Sequence, residues 1–177
     1  MFDDQQVVHI KPLRSRARVQ ALCAAVVRSN NRLSADGPDS EHEGQLDNML
    51  RTAIGIAGHD ALVCIISDFA GVSEQTLKLL RQLSAHNDVI AMQVYDPIAL
   101  DVPDKGRLSV TQGEMQVELE VGRRQVHRPL GDFLSGRLQA VAQLLRRSQI
   151  PLMMISTGEE VLGQVRRELG RLSGGAR

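Results

Sequence analysis

The chain has 177 residues, 21 basic and 21 acidic side chains, two cysteines and four aromatics. That length suits one domain with a sizeable core. Zero net charge and four scattered aromatics exclude a dedicated nucleic-acid surface, which needs a basic excess or a stacking platform.

In chain order, Val7-Val8-His9-Ile10 is the first strand candidate, ended by Pro12. A helix follows, because Val19, Leu22, Cys23, Val26 and Val27 fall at helical spacing, which predicts an inward apolar face. Residues 34–43 form a polar loop. Leu46, Met49, Leu50, Ala53, Ile54 and Ala57 then repeat the helical spacing, with Gly58 placed as a C-terminal cap. Ala61 to Ser67 is a continuous apolar run, as expected of a strand buried on both faces of a parallel sheet. Ser73 is a natural N-cap for a helix carrying Leu77, Leu80, Leu83 and Ser84 inward. Asp88 to Tyr95 is a second buried strand.

Two short alternating segments come next, around Leu108 and Val110 and from Met115 to Val121. The Gln112-Gly113-Glu114 turn between them makes a hairpin with one wet face. Leu134, Leu138, Val141 and Leu145 mark a long helix, and Pro151 to Ile155 a third buried strand. Thr157 and Glu160 have the spacing of a capping box for a last helix carrying Val161, Leu162, Val165 and Leu169. Strands alternating with helices define an α/β class with a mainly parallel sheet.

The charges are segregated. Lys11, Arg14, Arg16, Arg18, Arg28 and Arg32 occupy a stretch without acids, whereas Asp36, Asp39, Glu41, Glu43 and Asp47 occupy one without bases. From Arg123 onward ten arginines stand against four acids. Such patches are solvated helix faces and a polar loop, or surfaces that steer a protein partner. No apolar run approaches the roughly 18 residues of a membrane helix, and Asp3 and Asp4 are out of place in a signal peptide. Cys23 and Cys64, both in apolar patterns, are expected to be buried thiols of a reducing compartment, which points to the cytoplasm.

Nucleotide-binding loops and the G-x-S-x-G elbow are absent from the sequence. The five histidines lack metal-ligand spacing with the cysteines and are expected at the surface. One strand end stands out. Asp68 follows an apolar run directly, in Ser67-Asp68-Phe69-Ala70-Gly71, at the sheet end where open α/β folds place their sites. It serves there as a turn cap, or as a carboxylate presented to a hard cation such as Mg²⁺.

The segments Leu62–Gly71, Leu79–Leu83 and Asp88–Pro97 resemble a bacterial von Willebrand factor A-like group of unknown function, encoded beside MoxR-type AAA+ ATPases. Its pattern is a strand ending in Ser-Asp-Phe, a helix, and a strand ending in Tyr-Asp-Pro. A Leu-Pro segment, a hairpin, a helix and a strand ending in Ser-Thr complete it. Val102-Pro103 and Ile155-Ser156-Thr157 fill the last places, while Phe2 and Ile10-Lys11-Pro12 resemble the group's second and third strands.

The resemblance implies a von Willebrand A-like, Rossmann-like sheet flanked by helices, with a hairpin insertion. It implies one incomplete domain over residues 1–172, with 173–177 as a disordered tail. The family's first strand and helix, with the metal-binding Asp-x-Ser-x-Ser loop, have no counterpart in the sequence. The chain therefore reads as a fragment of such a domain, or one begun at an internal Met. The Thr that completes the metal site is also missing from Glu43-Gly44-Gln45-Leu46.

Only Asp68 and Ser67 carry over, as a remnant adhesion site. Mg²⁺ is expected in a complete domain, and no tight metal or other cofactor in this chain alone. The implied function is a non-enzymatic interaction domain, an adaptor or substrate-recruiting partner of a MoxR-type ATPase. Its expected surfaces are the loops around Asp68 and the basic helix from Arg14 to Arg32. The competing expectation is a small nucleotide- or Mg²⁺-binding enzyme domain completed by another chain.

Overall fold

The computed structural model describes residues 1–2, 7–32, 44–112 and 115–174. These fall into two compact units, one of residues 1–45 with 108–119, the other of residues 46–107 with 120–177.

In the first unit, Met1 and Val8 exchange backbone hydrogen bonds (2.8 and 3.1 Å), and Phe2 bridges Val7 in antiparallel sense. The strand expected over Val7–Ile10 is reduced to this bridge. Helix α1 spans Arg16–Asn30, with the Ser15 hydroxyl capping the Arg18 amide. Its apolar stripe is not buried as expected: Val19 is 61% exposed, Val27 56%, and Ala25 is its buried residue. Cys23 is exposed too, contrary to the buried thiol expected. The periodicity is real, but no described segment covers that face. Strands β3 (Arg107–Gln112) and β4 (Met115–Glu120) form the expected hairpin. Glu118 and Glu120 lie on its wet side, while residues 113–114 of the turn are outside the described residues.

The second unit is a parallel three-stranded sheet flanked by helices, a Rossmann-like α/β arrangement. Its strands are β1 (Leu62–Ser67), β2 (Asp88–Tyr95) and β5 (Leu152–Ser156), in the order β1-β2-β5. Register aligns Leu62 with Asp88, and Ala91 with Leu152. Helix α3 (Glu74–Ser84) links β1 to β2. A short 3₁₀ turn (Pro97–Ala99), the hairpin and helix α4 (Arg124–Arg147) lead to β5, and α5 (Val161–Gly174) follows. The core comprises Leu77, Leu80 and Leu83 of α3, Val89 and Ala91 of β2, Val141 and Leu145 of α4, and Met153 of β5.

Ser73 caps α3 as expected, and Thr76 closes a capping box. Helix α2 (Gln45–Ala57) ends at Gly58, whose φ of 61° suits a residue without a Cβ. The cap of α5 differs from the expected Thr157–Glu160 box. Glu160 itself accepts from the Leu162 and Gly163 amides, so the helix begins later. The same helix continues through Ser173 and Gly174, into the stretch assigned to a tail.

The larger correction concerns β1, expected to be covered on both faces. It is an edge strand, with Leu62 64% and Ile66 63% exposed and Cys64 exposed beside them. An apolar run records a need for cover, and in the described residues that cover reaches one face only.

Two polar ties hold this unit, the first of them buried. The Thr76 hydroxyl donates to Asp47 (2.7 Å), so the last acid of the expected solvated run is in fact buried. The Asn87 amide accepts from the Ala61 N–H (3.1 Å) and donates to the Gly58 and Leu83 carbonyls (3.3 and 3.1 Å). It thereby joins the end of α2, the start of β1 and the end of α3.

Candidate functional site

The carboxyl ends of the three parallel strands form a rim. At the end of β1, the Ser67 hydroxyl accepts from the Phe69 amide (3.0 Å) and lies 3.4 Å from the Asp68 carboxylate as its donor. Asp68 Oδ1 also accepts from the Ala70 amide (3.1 Å). Both expected site residues therefore come together, with Asp68 exposed at the top of the turn. Phe69 is held in the left-handed region (φ 55°) and is 1% exposed. That conformation costs a bulky residue about 1–2 kcal/mol, which burial of the ring offsets.

At the end of β2, Asp96 accepts from the Ile98 amide (2.9 Å) and starts the 3₁₀ turn. At the end of β5, the Ser156 hydroxyl accepts from the Gly158 amide (3.2 Å). Gly158 sits against the Pro97 ring, where an added Cβ would lie 2.8 Å from Pro97 Cγ. The Tyr-Asp-Pro and Ser-Thr-Gly turns thus abut. The Ser156 N–H donates to Gln164 Oε1 (2.8 Å), and Gln164 Nε2 donates back to the Ser156 carbonyl (2.9 Å). Gln164 is 4% exposed and belongs to α5, so a buried side-chain amide occupies the backbone position where another strand would pair.

Below the rim, Gln93 lies in register with Ser67 on one side and Met154 on the other. It is fully buried, and both amide atoms lack a hydrogen-bond partner among the described residues. Sequence reading missed Gln93, Gln164 and Asp47. Polar residues within apolar segments were the available signal, but their partners lie on other elements.

Asp68 and Ser67 do not by themselves fit Mg²⁺. The ion takes about six oxygen ligands and gives up water reluctantly, whereas one oxygen of Asp68 and the Ser67 hydroxyl are already engaged within the turn. Among the described residues, no three His, Cys, Asp or Glu side chains gather where they could hold a metal ion. The histidines are not uniformly solvated surface groups. His127 Nε2 lies 2.9 Å from the Val102 carbonyl and 3.5 Å from Asp104, tying α4 to the segment before the hairpin. Among the described residues, no helix is long and apolar enough to cross a membrane.

Sheet, rim and helices define a mixed α/β protein of Rossmann-like type. Comparison with known families narrows that class. The model of the family described as "Protein of unknown function DUF58" matches residues 1–133, most of the chain, and the chain belongs to that family. No curated protein and no solved structure matches it.

Proposed function

We propose that this chain is a von Willebrand A-like, non-enzymatic interaction domain that serves a MoxR-type AAA+ ATPase as an adaptor or substrate-recruiting partner. The observation that carries the reading is the Asp68 turn. A carboxylate is held out to solvent on a turn fixed by three internal hydrogen bonds and by a buried, left-handed Phe69 beneath it. Backbone strain of this kind is retained where the surrounding structure holds a loop in one shape, and it concentrates at functional sites.

Two further features support it. The edge of β1 bears no partner strand among the described residues, and it is where the von Willebrand A architecture would place its metal-site strand. Helix α1 has Arg16 and Arg18 in its first turn with no acid, where the helix dipole favours acids. This arrangement sacrifices a little helix stability and suits an electrostatic contact with an acidic partner.

Co-purification with the ATPase tests the proposal. Asp68→Ala, and separately the triple charge reversal of Arg14, Arg16 and Arg18 to Glu, are expected to reduce retention severalfold. Retention unchanged by both would overturn it. A rise in melting temperature with ATP or Mg²⁺, abolished by Asp68→Ala, would instead favour the enzyme alternative.

A further inference from the structure

The second open edge of the sheet has a different construction. Successive residues of a strand turn their backbone groups to opposite sides. The Pro151 carbonyl accepts from the Ala91 amide (2.9 Å), and the Thr157 amide donates to the Tyr95 carbonyl (2.9 Å). Residues 151, 153, 155 and 157 therefore face β2. Leu152, Met154 and Ser156 turn their N–H and C=O outward. Ser156 is satisfied by Gln164, which supplies a donor and an acceptor in place of a strand. No strand pairs with Leu152 and Met154 on that side among the described residues.

A groove of about 420 Å³ runs along this stretch, with α4 as one wall and α5 as the other. Leu100, Leu138, Ala142 and Ile150 give its lining an apolar part, beside the polar Ser135, Gln139 and Glu168. Arg146 of α4 and Arg171 of α5 stand in opposite walls. Arg171 is paired with Glu168 (2.9 Å), while Arg146 is exposed and makes no ion pair among the described residues. Beside the outward backbone of Leu152 and Met154, the groove thus offers apolar patches and, with Arg146 and Arg171 against Glu168, one positive charge in excess.

We propose that this groove binds an extended, acidic and apolar peptide segment of a partner protein, which adds to β5 as a fourth strand. The peptide backbone pairs with Leu152 and Met154, in the mode by which exposed sheet edges take up strands. Apolar side chains of the peptide enter between α4 and α5, and its acidic residues meet Arg146 and Arg171. Gln164 sets the register by closing the edge beyond Met154. The proposal deepens the interaction-domain reading by naming the partner's chemistry, and it rests on that reading. The two fail separately, because neither Asp68 nor the arginines of α1 line the groove.

The test is fluorescence anisotropy with a labelled peptide that alternates Val and Thr and carries Glu at both ends. Saturable binding is expected, weakened roughly tenfold by combining Arg146→Glu and Arg171→Glu. N-methylation of the peptide amides that face β5 is expected to abolish it, a change that leaves the protein's own folding untouched. Absence of binding would overturn the proposal. So would equal binding of the same peptide with Lys in place of Glu, or indifference to N-methylation. Sedimentation of the chain alone distinguishes another occupant: a dimer that Arg146→Glu dissociates would assign the groove to a second copy and overturn the peptide.

Discussion

The two edges of the sheet differ in how far the chain finishes them. On β1 the Asp88 amide donates to the Ala61 carbonyl, so the alternation turns the backbone groups of Leu62, Cys64 and Ile66 away from β2. The side chains of these same three residues are exposed. Among the described residues, backbone and side chains thus remain uncovered together. On β5 the outward groups of Ser156 are consumed by Gln164, and Leu152 and Met154 line a groove between two helices. One edge calls for a whole covering element, the other for a short segment. A bare parallel edge is open to further pairing, whereas an amide stopper limits what can be added.

The largest effect is expected where the stopper is removed. Gln164→Leu leaves the buried N–H and C=O of Ser156 without partners and should lower stability by about 3 kcal/mol, since each such group costs about 1–3 kcal/mol. Urea denaturation measures it, and a loss below half that value would mean that water reaches Ser156 and that the two edges are alike.

A smaller effect of opposite sign is expected on the strand between them. Gln93→Leu replaces an orphaned amide with an apolar side chain of similar size. It should raise stability by about 1 kcal/mol, because burying an unpaired polar group is unfavourable. Destabilisation in the same denaturation experiment would reveal a partner for Gln93.

The smallest change in stability, within about 0.5 kcal/mol, is expected for Leu62→Lys combined with Ile66→Lys, both at exposed positions. Light scattering should nevertheless show reduced self-association, because charged side chains blunt an open edge. Unaltered self-association would remove the basis for treating β1 as the exposed edge that matters.

Local signals made much of this fold legible in the sequence. The bounds of β2, the Ser73 cap and the inward Val141 and Leu145 depend on neighbours a few residues away, and the structure bears them out. Asp68 was identified by its position after an apolar run. Burial was the weaker inference. Helical spacing groups Val19, Leu22 and Val26 on one face, but whether that face is covered depends on other segments, and here it is exposed. The same reasoning misplaced Cys23, Cys64 and one face of β1. Gln164, Gln93 and Asp47 were illegible for a related reason: a polar side chain's role is set by what it meets, and Asp47 meets Thr76, 29 positions along the chain.

Asn87 has a consequence for how the sheet opens. Its carbonyl oxygen and its amino group serve different elements at once, the first holding β1 and the second holding the ends of α2 and α3. An aspartate in its place would keep the acceptor and lose both donors, so the joint depends on an amide. Loss of the Asn87 side chain at this end of the sheet therefore loosens all three elements at once. At the other end of the sheet the Asp68 turn is fastened by its own hydrogen bonds, whereas the Asp96 and Ser156 turns pack on each other through Pro97 and Gly158. The Asp68 turn of the candidate site is thus fastened separately from the Asn87 joint at the base of the sheet.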